Sequence, residues 1–376
     1  MKTLKLIPLL ANPALNAERV AFLFKDDFTT ADAAPIDVPR NAEPGPGVWG
    51  TTTDTGNRLS IASGDLAAAA GGSVSDPNLT STTTFARLTG LALAYIHKAV
   101  AVTNQAAVLF RSNTSSADIR CQLGTSLAVT SAVSVYNNAL FTPYVITTLS
   151  LAGLDISLFT ILRTAGFWSI YKRAGVYKLA IVISSGTNNN MPLHMGAASV
   201  ATFDKVRVAR LPPPWTNDDN LLTYREAAPS SGDTQTSEAN AIHVVNWTPA
   251  ANATLEIILR RTDDTHEWIA RYDQAGGTMK IIEDNAGETE RSSVASTITP
   301  GVTYREVVRA DDTYIRAMHV QEGVYSTAAT YTAASSNQTA TGTQITYTNT
   351  TTITDWEAWQ VDIPAASTAA LTEMLA

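Results

Sequence analysis

Apolar and polar residues alternate with a period of two through most of this 376-residue chain, the pattern of half-buried strands. The apolar runs are short and broken at regular intervals by Gly, Pro, Asn and Asp, the grammar of an all-β sandwich. "GVWGTTTDTGNRLSIASGDLAAAAGG" predicts two short strands around a turn at Thr55-Gly56-Asn57. "GLALAYIHKAV" and "QAAVLFRSN" follow as strands. "FTILRTAGFWSIYKR" reads as strand, turn at Gly166, strand, and "KLAIVISS" and "TFDKVRVARL" close the first half. The second half repeats the grammar, with a long meander after "ANAIHVVNWTP" and a hairpin in "YREVVRADDTYIRAMHVQEG" whose tip is Asp311-Asp312.

Between the halves stands "LPPPWTNDDN", Leu211 to Asn220. Three successive prolines cannot donate to a ladder and favour extended backbone, so this is the predicted domain boundary and a stiff connector. Trp215, just after the prolines, is expected to pack between the domains. "PAASTAALTEML" near the C-terminus predicts a helix, with Pro364 and Ser367 as start signals. Leu6 to Leu15 predicts a second, short one. The organisation expected is an N-terminal arm (residues 1–22), a first sandwich (23–211) and a second (212–376).

The stretch "RRTDDTHEWIARYD", Arg260 to Asp273, carries four acids and a histidine and looks at first like a catalytic site. Pairing it with "TLEIILRR" as a hairpin turning over Asp263-Asp264 gives another answer. Leu259 then faces Trp268, Ile257 faces Ala270 and Leu255 faces Tyr272, all on one apolar side. On the other side Arg260 meets Glu267 and Glu256 meets Arg271. A slip of one residue would send Trp268 to solvent. "HEWIA" also lacks the second histidine that a zinc-binding helix needs four residues on, and it alternates with period two. His266 and Glu267 are therefore read as structural.

Composition narrows the classes further. Charged residues are 16 % and hydrophobic ones 45 %, with a net charge of −8. The acidic balance and the lack of any Lys/Arg cluster argue against nucleic acid as a partner. Cys121 is the only cysteine, so an intrachain disulfide and a thiolate metal site are excluded. The five histidines, at 97, 194, 243, 266 and 319, show no ligand spacing. No stretch reaches the ~20 apolar residues of a membrane span. The N-terminal "MKTLKLIPLLANPALNA" is broken by Pro8 and Pro13 and reads as an arm rather than a secretion signal.

A glycosidase would need two carboxylates aimed across one bond. Asp355 and Glu357 share a strand face with Trp359, and Glu283, Glu288 and Glu290 cluster around a Gly turn. Both sets read as structural, the first as an edge or terminal strand with Trp356 packed inside, the second as acids flanking a loop. No Gly-x-Ser-x-Gly elbow or phosphate loop is present. Paired aspartates at 26–27, 218–219, 263–264 and 311–312 have the chemistry of turns. They leave calcium open as a loop ligand, without calcium-loop spacing. The seven tryptophans are read mostly as core anchors, and any exposed one beside loop acids would be a sugar platform.

"EIILRRTDDTHEWIARYD", "YREVVRADDTYIRAMHV" and "DWEAWQVDIPAASTAALTEML" together resemble the laminin-G-like, concanavalin A-like jelly-roll domains of phage virion and bacterial surface proteins. The first half looks like a divergent copy, opening with "FKDDFTTADAAP" and closing with "ATFDKVRVARLP". The resemblance implies an all-β chain of two tandem antiparallel sandwiches with a short C-terminal helix. It implies a non-enzymatic virion or extracellular surface protein of the capsid or tail decoration type. Such a protein would self-associate or join other subunits, with cell-surface glycans as further partners. The alternatives it leaves are a secreted carbohydrate-binding module and a jelly-roll glycoside hydrolase. The family's usual calcium and sugar residues do not stand out here, so no catalytic, metal-ligating or ligand-binding residue is assigned and no cofactor is expected, with calcium left open.

Overall fold

The computed structural model describes residues 19–29, 36, 38–69, 78–86, 88–98, 106–111, 118–123, 132–137, 144–148, 155–164, 166–183, 191–197, 201–321, 324–349 and 351–376. The strands of the first half are β1 (Ala21–Asp26), β2 (Arg40–Asn41), β3 (Val48–Thr53), β4 (Leu59–Ala62), β5 (Asp65–Ala68), β6 (Asn78–Phe85), β7 (Leu91–His97), β8 (Ala106–Arg111), β9 (Asp118–Leu123), β10 (Ala132–Asn137), β11 (Tyr144–Thr148), β12 (Ile156–Arg163), β13 (Gly166–Arg173), β14 (Val176–Ile183), β15 (Met191–Ala197) and β16 (Ala201–Arg210). Those of the second are β17 (Leu222–Glu226), β18 (Thr234–Thr236), β19 (Ala241–Thr248), β20 (Thr254–Asp263), β21 (His266–Asp273), β22 (Thr278–Asn285), β23 (Glu288–Ala295), β24 (Tyr304–Asp311), β25 (Tyr314–Gln321), β26 (Val324–Tyr331), β27 (Gly342–Thr348) and β28 (Thr352–Gln360). One helix, α1 (Ala365–Leu375), closes the chain. The helix expected at Leu6 to Leu15 and most of the expected arm lie outside the described residues.

Four antiparallel sheets form two sandwiches. Sheet I runs β14-β13-β12-β7-β16-β5-β4 with β1 beside β16, and sheet II runs β11-β10-β9-β8-β15-β6-β3-β2. Sheet III runs β17-β28-β19-β24-β25-β26, and sheet IV runs β18-β27-β20-β21-β22-β23. Every strand of sheets III and IV corresponds to the strand twelve places earlier in sheets I and II, in the same order. The chain thus builds one jelly-roll topology twice, and the first copy carries extra edge strands.

The two sandwiches are welded through equivalent sheets. Every residue of β12, "ISLFTILR", is buried, as is β24 apart from Arg305. A strand covered on one face alternates; one covered on both does not. Sheet I packs on sheet II with one face and on the second half with the other. Trp168 of β13 meets Trp215 of the connector edge-on at 5.7 Å and Trp359 of β28 at 6.3 Å. The Arg163 guanidinium lies 4.6 Å from the Trp359 ring centroid. Such aromatic pairs contribute about 0.5–1.5 kcal/mol each beyond their buried area. Backbone pairing also crosses the junction: Leu179 N donates to Val361 O (2.7 Å), and Ile363 N to Tyr177 O (3.3 Å). These bonds cover the exposed edge of β14, which would otherwise invite another chain.

Helix α1 leaves its own sandwich and lies against β7 and β16 of the first. Lys205 of β16 donates to Leu375 O and Ala376 O, both at 3.2 Å, which places a cation on the helix C-terminus. By cross-strand register, Lys205 shares its face with Ile96, Ala94 and Ala92 of β7 and Ala209 of β16. Small residues there let the helix backbone come close. Ser367 does not cap the helix, contrary to expectation. Its hydroxyl donates to Asn220 Oδ1 (3.0 Å), and its carbonyl accepts from Trp215 Nε1 (3.1 Å).

The β20–β21 hairpin keeps the expected register from Thr254↔Asp273 to Leu259↔Trp268. Leu255, Ile257, Leu259, Trp268, Ala270 and Tyr272 all face the second core. The register then breaks at a bulge, and Asp263 pairs with His266. Arg260 adopts a left-handed φ of 50° and is buried. Its guanidinium donates to Ala239 O and Asn240 Oδ1, both at 3.0 Å. The expected Arg260–Glu267 pair therefore does not form. Arg261 takes its place, 3.2 Å from Glu267, and the turn tip shifts one residue to Asp264-Thr265.

Candidate functional site

Most of the acidic residues singled out from the sequence are engaged within the protein; Asp219, beside the connector, is exposed. Glu256 accepts from Arg271 Nε at 2.5 Å, and Glu288 from Arg271 Nη2 at 2.7 Å. Glu283 accepts from Arg291 Nε (2.8 Å) and Ser336 Oγ (2.5 Å). It sits inside β22, not at a loop. Glu290 pairs with Lys280 at 2.9 Å. Asp26 is buried and accepts from Trp49 Nε1 and Arg40 Nη1, both at 2.6 Å, while Asp27 pairs with Arg207. Asp263 accepts from His266 Nδ1 and Thr265 N, both at 2.9 Å, and the first of these leads in pulling its carboxyl down to about 2. That is turn chemistry.

Asp355, Glu357 and Trp359 do share a face, as expected. However, β28 lies inside sheet III between β17 and β19, not at an edge. Glu357 accepts from Arg225 Nε (2.8 Å) and Trp359 Nε1 (3.0 Å) and is buried. Burial, then the Glu357 charge, push the Asp355 carboxyl up. A raised acid beside a second carboxyl is the pairing a glycosidase would need. But Glu357 is closed off by its arginine and its strand neighbour.

All seven tryptophans are fully buried, so none offers a stacking platform. Among the described residues no group of three or more His, Cys, Asp or Glu side chains could hold a metal ion. Cys121 lies on β9, paired in register with Val108 and Val135.

What the sequence did not reveal is a polar cluster at the junction of the sandwiches. Lys178 of β14 reaches Asp311 Oδ1 (2.5 Å), Asp312 Oδ2 (3.2 Å) and Asp362 Oδ1 (3.6 Å). Burial works to lower the Lys178 ammonium, and the carboxylates, Asp311 first, overcome it and hold it well above its usual value. Arg309 of β24, buried, donates to Leu179 O, to Ala180 O (2.8 Å) and to Asp311 Oδ2 (2.8 Å). Asn240 donates to Asp312 Oδ1 (3.3 Å) and Asp362 Oδ2 (3.0 Å), and accepts from the Asp312 amide (2.9 Å). Since Asn240 also receives Arg260, the bulge in the β20–β21 hairpin is tied to this clamp. The hairpin was legible, but its tip is Asp312-Thr313 and not Asp311-Asp312, because Asp311 still pairs with Tyr314 at the end of β24. Lys178, the partner of both aspartates, stands more than 130 residues away in sequence, where no local signal points to it.

Beside the clamp an open cleft of about 440 Å³ lies between the β13–β14 hairpin and the β24–β25 tip. The burial of Tyr171 on its wall raises its phenol, which stays protonated. A second depression of about 260 Å³ flanks the other side, lined by Glu238, Asn240, Gln360 and Asp362.

No protein-family model matches the chain, and no curated protein matches it. Solved structures do match in part. A galectin, LEC-6 of Caenorhabditis elegans, is 12 % identical over 38 % of this chain and 97 % of its own, with a TM-score of 0.29. The carbohydrate-binding module CBM66 from Bacillus subtilis is 10 % identical over 35 % of this chain and 82 % of its own, at 0.25. β-Agarase B from Zobellia galactanivorans is 14 % identical over 51 % of this chain and 94 % of its own, at 0.34. These are jelly-roll sandwiches, as both halves of this chain are by strand order. Likeness at this level carries neither activity nor ligand.

Proposed function

We propose that this chain is a non-enzymatic structural subunit, a double jelly-roll block of the decoration or fibre type on a phage virion or bacterial surface. The observation that supports it most is where the chemistry-bearing residues are spent. Every tryptophan is in a core, and the acidic sets that could have served catalysis are tied to arginine, lysine or indole N–H groups within the fold. A chain so committed to internal closure suits a rigid building element. The N-terminal arm is the part of this reading that would dock to a particle, and residues 1–18 of it lie outside the described residues. The test is the native context: the protein should sediment with a larger particle, and a chain lacking residues 1–18 should stay folded and no longer do so. A free, monomeric wild-type protein in its native source would overturn the proposal.

A carbohydrate-binding module is the second reading, favoured by the open junction cleft. A glycan array with and without EDTA tests it, and no binding to any sugar removes it.

A further inference from the structure

The junction cleft has a free cationic donor and a free apolar wall. Arg173 stands at its rim on the β13–β14 hairpin. Its Nε is screened from water and has no hydrogen-bond partner among the described residues. The other charges of the wall are already engaged. Lys178 has three donors and three carboxylate neighbours, and both oxygens of Asp311 accept from a cation. Beside Arg173, Val176 is 52 % exposed, one of two large apolar side chains so exposed among the described residues. The small Ala174, held at a left-handed φ of 49°, extends this apolar lip. Across the gap the Asp312 side chain is 72 % exposed, and a carboxylate oxygen that accepts one hydrogen bond can accept a second.

We propose that this cleft binds a small hydroxylated carboxylate of the uronic-acid class. The terminal Nη1 and Nη2 of Arg173 take the carboxylate, because the screened Nε is as far out of reach of a ligand oxygen as of water. The apolar face of the sugar ring lies on Val176 and Ala174, and ring hydroxyls donate to Asp312. The volume and the position between two domains fit a small-ligand site. The choice of a sugar rests on the carbohydrate-binding reading; the carboxylate requirement rests on Arg173 alone.

Calorimetric titration of the full chain with D-glucuronate, and with D-glucose as the uncharged control, tests this. Glucuronate should bind saturably, and glucose at least about tenfold more weakly, the scale of one charge-assisted hydrogen bond. Arg173→Gln should lower glucuronate affinity by about tenfold or more and leave the thermal transition in place, because among the described residues none is bonded to the Arg173 guanidinium. Asp312→Asn is a second variant, expected to weaken binding less. No saturable glucuronate binding, equal binding of glucose, or binding unchanged in Arg173→Gln would each overturn the proposal. If neutral sugars are captured on an array while glucuronate fails here, the carboxylate site falls and the carbohydrate reading stands.

Discussion

His243 and Glu267 are titratable side chains that burial moves in opposite directions. His243, on β19, sits in the second core, and burial pulls its pKa from 6.5 to about 3. As pH falls the unfolded chain takes the proton first. The stability this residue allows is full above pH 6.5 and drains as pH drops toward 3, at no more than ~1.4 kcal/mol per pH unit. Urea midpoints between pH 7 and 4 should therefore fall less steeply in His243→Gln than in the wild type; parallel slopes would contradict the assignment. Glu267 is the reverse case, raised from 4.5 to about 7, by burial foremost. A raised carboxyl favours the folded state below the unfolded pKa and loses that advantage as pH climbs through 7. Glu267→Gln should raise the melting temperature at pH 8 and leave it nearly unchanged at pH 4. At this scale the sequence placed the residues correctly on strands. It could not say which carboxylate would be sealed, because that depends on Arg261 rather than Arg260 reaching it.

The β20–β21 hairpin carries the lesson at the scale of the element. Alternation alone gave its register from Leu255 to Leu259, since any slip would bury charge and expose Trp268. The bulge at Arg260 escaped, because what draws that side chain inward is Ala239 O and Asn240 Oδ1 on the approach to β19. Arg260→Ala would remove a buried guanidinium and leave Ala239 O short of a donor, while Asn240 Oδ1 keeps the Asp312 amide, and should cost about 2 kcal/mol by chemical denaturation. Arg271→Ala, which breaks partly exposed pairs with Glu256 and Glu288, should cost about 1 kcal/mol or less. Equal costs would mean that the bulge is incidental. Helix α1 teaches the same point. Its apolar composition and its proline start were legible, but its partner was not. The small-residue face of β7 and β16 that receives it belongs to the other half of the chain.

For the whole molecule, the expected consequence of two sheets buried on both faces is joint unfolding. The Trp168–Trp215–Trp359 contacts, the Lys178 clamp and the Arg309 bonds to Leu179 O and Ala180 O all cross the junction. Calorimetry should show one transition for the wild type. Arg309→Met should lower it and split it in two, since breaking a buried ionic partner commonly costs 3–5 kcal/mol. Two separate transitions in the wild type would mean that the halves are merely tethered. The triple proline marks where the topology restarts, yet the connector is not a spacer: Trp215 is packed on Trp168 and hydrogen-bonded to α1.

The sequence by itself determined the fold class, most strand positions, the hairpin register and the repetition of one grammar in two halves. All of these follow from periodicity and turn chemistry, which act over a few residues. The tertiary structure decided which acids would be neutralised, which strands would be covered twice, where the helix would dock and where a cleft would open. Those outcomes depend on side chains such as Lys178 and Asp311, brought together by the closure of loops more than a hundred residues long. Contacts of that range leave no periodic trace in a single chain.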